Sequence, residues 1–106
     1  MTDMSRIETL TQFLTENPSD AFARYGLAME HSKAGDAESA LSEFRKLLEL
    51  HPDYTAGYFM AAQTLARADR SDEARQMLRD GIASAARAGN AHAKMEMEGM
   101  LAELGT

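Results

Sequence analysis

Residues 10–18 read LTQFLTENP and residues 44–52 read FRKLLELHP. Set against each other on Pro18 and Pro52, the stretches lie 34 residues apart and bring Leu10, Phe13 and Leu14 opposite Phe44, Leu47 and Leu48. The register continues beyond the prolines. Leu27 and Ala28 fall opposite Ala61 and Ala62, His31 opposite Leu65, Ala34 opposite Ala68, Ala40 opposite Ala74, Phe44 opposite Leu78 and Leu48 opposite Ile82. A period of this size marks stacked supersecondary units, each unable to bury its apolar face alone. Such a chain offers a surface to a partner rather than a pocket for chemistry.

Apolar residues recur at i, i+3, i+4 and i+7, the period of a helix, and no stretch alternates long enough for a strand. Six helices are expected. The first runs from about Asp3 to Glu16 on the stripe Ile7, Leu10, Phe13, Leu14, with Ser5 and Glu8 placed for a capping box, and Asn17-Pro18 ends it. Ser19 is expected to cap the second, which ends at Gly35; Asp36 caps the third, which stops before His51-Pro52. Asp53 is expected to open the fourth and Ser71 the fifth, which runs on to Ala88 because no proline stops it; Gly89 breaks the chain and Asn90 caps the sixth, which ends at Gly105. The intervening loops are short, so consecutive helices lie antiparallel.

The residue types at these offsets resemble the tetratricopeptide repeat, a helix-turn-helix unit of this period. Leu27, Ala28, Gly35, Ala40, Phe44 and Pro52 occupy places the repeat favours; Tyr58, Ala62, Ala74, Leu78 and Gly81 do so in a second copy. Small residues let helix backbones approach, large ones fill the space beside them, and glycine makes the turn. The resemblance departs from the pattern at Arg24, His31, Asp69 and Ala86. It implies an all-α, right-handed solenoid of antiparallel helix pairs, in one domain. A half-repeat helix spans 3–17, repeats span 19–52 and 53–88, and a C-terminal half-repeat or capping helix spans 90–105.

The resemblance also implies a function. In this family the first helices of each pair line a concave groove that takes an extended peptide or a partner's helix. Here the corresponding residues are Phe22, Tyr25, Met29 and Lys33, then Phe59, Gln63 and Arg67, and Met95 on the sixth helix. The surface is mainly apolar and aromatic, with a cationic edge at Lys33 and Arg67 suited to an acidic group. Rings give large contact area at low entropic cost and methionines adapt to varied partners. A groove that clamps a terminal carboxylate needs Lys and Asn where Phe22, Tyr25, Met29 and Phe59 stand, so that subtype is not expected. The same rings have a plainer use, packing on neighbouring helices. An adaptor, co-chaperone or assembly factor is the expected role. The alternative is self-association, through Ile7, Leu10 and Leu14 at one end or Met97 and Leu101 at the other.

Composition excludes other classes. With no cysteine among 106 residues there is no disulfide, thiolate metal site or cysteine nucleophile. A net charge of −6 opposes binding to nucleic acid. No apolar run reaches the ~20 residues that span a bilayer, and residues 1–10 hold no signal-peptide core, so a cytoplasmic location is expected. His92, Met95, Met97 and Met100 are soft-metal ligand types, but the apolar stripe accounts for Met97 and Met100 and no metal or other cofactor is expected. His31, His51 and His92 are scattered, and His31, at an aromatic packing place, is expected in the core. Arg67, Arg70, Arg75, Arg79 and Arg87 interleave with Asp69, Asp72, Glu73 and Asp80, as on a solvated face. No phosphate loop, G-x-S-x-G elbow or paired nucleophile and base is present, so no enzymatic activity is expected.

Overall fold

A computed structural model describes residues 3–105, with side chains from Arg6 onward. The helices are α1 (Asp3–Glu16), α2 (Ala21–Lys33), α3 (Ala37–Leu50), α4 (Thr55–Arg67), α5 (Ser71–Ala88) and α6 (Ala91–Leu104), and no strand occurs among the described residues. The capping box at Ser5 and Glu8 involves a side chain outside the described ones. Each helix packs on the next in sequence, and α2 touches α4 and α4 touches α6. The α3 and α5 backbones stay further apart, and these helices meet through side chains such as the Arg45–Glu73 ion pair at 3.5 Å. One layer is therefore drawn together while the other is splayed, and the all-α solenoid curves around α2, α4 and α6. It extends 40 × 28 × 18 Å.

The repeated residues form the core. Ala28, Ala40, Phe44, Leu47 and Ala61 make one buried cluster, and Tyr58, Ala62, Leu78, Ala85 and Met97 make the next. Ala28, Ala40, Ala62 and Ala74 are fully buried, and their small side chains let the helices close on one another. Ile7, Leu10 and Leu14 pack on Ala23 and Leu27, and Met97 is buried while Leu101 packs on its cluster. Of the residues expected to be left uncovered for self-association, Leu14 and Met97 are buried, while Ile7, Leu10 and Leu101 are half-buried.

Three helix ends share one geometry. Asp36 N–H donates to His31 O (2.9 Å) and Gly35 N–H to Ser32 O (3.1 Å); Arg70 to Leu65 and Asp69 to Ala66, and Asn90 to Ala85 and Gly89 to Ala86, repeat the pattern. This pair of hydrogen bonds needs a left-handed residue, and Gly35 (φ 81°) and Gly89 (φ 71°) supply it. At the second end Asp69 adopts φ 60°. Left-handed backbone costs an L-residue about 1–2 kcal/mol, less for Asp, while glycine brings about 0.5–1 kcal/mol of extra unfolded-state entropy. Asp69→Gly is expected to raise stability by about 0.5 kcal/mol, read as a higher urea midpoint at unchanged slope. A lower midpoint would show that the aspartate side chain supports the turn.

Three caps differ from expectation. Asp20, not Ser19, caps α2, accepting from Ala23 N–H at 2.9 Å. Asp20 N–H reaches Asn17 O (3.1 Å) and Tyr54 N–H reaches His51 O (3.0 Å), so each Pro turn takes one residue more and the cap falls two places after the proline. Tyr54, not Asp53, therefore opens α4, without a side-chain cap. Arg70, not Ser71, precedes α5, also without one. Its guanidinium instead holds Glu73 (2.8 Å) and Glu38, and the Arg70–Glu73 hydrogen bond is the main reason its pKa is pushed further up. Asp36 and Asn90 cap α3 and α6 as expected, accepting from Ser39 N–H and Ala93 N–H.

The departures from the repeat pattern have structural answers. Arg24 donates to Pro18 O (2.8 Å), as Tyr58 one repeat later donates to Pro52 O (2.8 Å), and it pairs with Glu43 at 2.6 Å. His31 is half-buried beside Asp36 rather than in the core, which corrects its expected place. Without a proline at Ala86, α5 runs to Ala88 as expected.

Candidate functional site

The inner layer carries a cleft of about 380 Å³. Tyr25 of α2 closes one side, Ala56, Phe59 and Met60 of α4 form the floor, and His92, Glu96 and Met97 of α6 form the far wall. A second hollow of about 330 Å³ shares Phe59 and Glu96 with it and continues between Gln63, Met95, Gly99 and Glu103. Together they make a groove along α4 and α6. The α4 helix sends Ala56, Phe59 and Gln63 into it because residues three and four apart share a face. Gly99 leaves open space, since nothing lies within 4 Å of where its Cβ would be.

Of the residues expected to bind a partner, the structure brings Tyr25, Phe59, Gln63 and Met95 to this groove. Met95 is 65% exposed. Phe59 is half-buried and packs on the second core cluster, so it serves both core and groove. Met29 packs on the first cluster and lines neither hollow. Phe22 stands 79% exposed at the start of α2, outside the groove. Lys33 is tied to Glu30 at 3.6 Å, and Arg67 lies in a separate hollow with Ser32 and Thr64. The hydroxyls of those last two are 3.2 Å apart and link α2 to α4. The cationic edge is thus beyond the groove's end. In its place the far wall presents Glu96 and Glu103, two groove residues that the sequence reading missed. Their signal was their spacing from Met95 and Gly99 on the same helix.

Tyr25 is held by two rings, Phe44 at 6.4 Å in a T-shaped contact and Tyr54 at 5.4 Å. Burial, with a smaller contribution from Tyr54, raises the Tyr25 phenol above its ordinary 10.0, and burial followed by Asp20 raises Tyr54. Both phenols are disfavoured as anions in the fold. Their contribution is therefore intact below pH 10 and lost as pH rises through the folded values. The melting temperature is expected to fall from pH 9 to pH 11, less steeply in Tyr54→Phe; identical profiles would remove Tyr54 from the cause.

Among the described residues no three His, Asp or Glu side chains are gathered as for a metal, and no helix is long and apolar enough to cross a membrane. His51 Nε2 lies 2.7 Å from Ser19 O, and His92 Nε2 lies 3.4 Å from Glu96.

The tetratricopeptide repeat signature matches residues 31–97. A TPR repeat-containing protein of Pseudomonas aeruginosa is 34% identical over 98 residues, which span 92% of this chain and 93% of that one. The chain belongs to the tetratricopeptide repeat family. The solution structure of a tetratricopeptide repeat domain protein from Salinibacter ruber superposes on this repeat chain with a TM-score of 0.78 at 34% identity, over 83% of this chain and 89% of the other. PcrH, solved with the chaperone-binding region of PopD, superposes with a TM-score of 0.84 over 92% of this chain and 74% of its own. At 18% identity that likeness is one of fold alone. The family is one of protein-interaction modules, and this repeat protein has its architecture.

Proposed function

We propose that this repeat protein is a non-catalytic module that holds a peptide or helix of another polypeptide in the groove of α4 and α6, with Tyr25 at its edge, as an adaptor, co-chaperone or assembly factor. In this reading the groove is presented by a half-repeat at 3–17, repeats at 19–52 and 53–88, and a closing half-repeat at 90–105. The observation that carries it is the continuous hollow around Phe59, with Met95 standing exposed at its rim. The PcrH structure, which holds a region of PopD, supports a polypeptide ligand for this architecture. Photo-crosslinking tests it. A benzophenone side chain at Met95 is expected to trap a discrete polypeptide in the native cell, whereas the same group at Arg79, exposed on α5 of the splayed layer, traps none. Equal adducts at both sites, or none at Met95, would overturn the reading.

A further inference from the structure

We infer that the groove selects a segment whose apolar anchors are flanked by lysine or arginine, with two cations about 10 Å apart; this rests on the groove being the binding face. The floor is apolar, built on Phe59, Met60 and Met97. Apart from Tyr25, the titratable side chains lining the two hollows are His92, Glu96 and Glu103, and no lysine or arginine lines either. Lys94 faces a different hollow, near Ala85 and Gly89, and the α4 helix carries no charge before Arg67. Among the described residues Glu103 has no ion pair, and Glu96 meets only the exposed His92. Two carboxylates thus border an apolar surface with no lysine or arginine beside them, in a chain of net charge −6. Their field favours cationic ligands and repels acidic ones. Glu96 and Glu103 are seven residues apart on one helix, about 10 Å along its axis. A partner chain lying along α6 matches that spacing with cations seven apart in a helix or three apart in an extended strand.

Selection from a random dodecamer library on the whole chain, followed by titration of the labelled winners, tests the inference. The expected winners place Lys or Arg beside Leu, Phe or Met, and lose affinity as salt rises. The double variant Glu96→Gln/Glu103→Gln is expected to weaken them about tenfold. Both glutamates are exposed, so this variant keeps the wild-type melting temperature. Acidic or uncharged winners, an unchanged Kd in the double variant, or no binder at all would overturn it. Ala56→Trp, which fills the cleft from an exposed position, separates the two readings. Binding blocked by Ala56→Trp but indifferent to the glutamates sinks only the charge preference. Binding that survives Ala56→Trp sinks the groove as well.

Discussion

Phe44→Ala is expected to cost about 3–5 kcal/mol, read as a lower urea midpoint at unchanged slope. Phe44 is fully buried among Ala28, Ala40, Leu47 and Ala61, with the Tyr25 ring 6.4 Å away at 65° to it. Three of those neighbours are alanines, which have no torsion with which to swing inward. The space vacated by the ring therefore persists as a cavity, and the loss falls at the high end of large-to-small changes. Against a total stability of about 5–15 kcal/mol for a domain, this is a large share. The same change loosens the partner of Tyr25, so it also disturbs the edge of the groove. Phe22→Ala is the control. At 79% exposure it is expected to change stability by under about 0.5 kcal/mol. A loss below about 1 kcal/mol at Phe44 would contradict the packing described.

The parts of this fold that were legible in the sequence are those where one residue type has one use. Prolines at 18 and 52, glycines at 35 and 89, and buried alanines at 28, 40, 62 and 74 each answer a local demand, so helix order and repeat period follow from them. Cap positions were less legible, because the Pro turn closes through Asp20 N–H to Asn17 O and Tyr54 N–H to His51 O, bonds that carry no side-chain signature. Arg24 read as a departure only because its bond to Pro18 O, the counterpart of the Tyr58 hydroxyl bond, is invisible in the one-dimensional pattern. The groove was half legible. Periodicity put Phe59 and Gln63 on one face of α4, but the rotation of α6 is decided elsewhere.

That decision is made at Gly81, and Gly81→Ala is expected to destabilise the protein by about 1–3 kcal/mol. In an exposed helix the change would be favourable by about 1 kcal/mol, because alanine is the better helix former. Here a Cβ would stand 2.5 Å from Met97 Sδ and 2.6 Å from Tyr58 Cβ. The methionine can yield, but Tyr58 Cβ is fixed to its backbone, and the phenol above it is bonded to Pro52 O. The strain therefore falls on the fit between α5 and its neighbours. Gly99→Ala is the matched comparison: it is also helical, it meets nothing within 4 Å, and it is expected to raise stability by about 1 kcal/mol. Opposite signs in two thermal melts would establish that Gly81 is a packing notch. Equal gains would show that Met97 does not seat there. The notch also sets the shape of the groove. Met97 lying in it turns Met95, Glu96, Gly99 and Glu103 toward α4, so a side chain at Gly81 that lifts α6 displaces the acidic wall of the groove. Peptides selected on the wild-type chain are accordingly expected to bind Gly81→Ala more weakly at temperatures where it remains folded, while Gly99→Ala leaves Met97 seated.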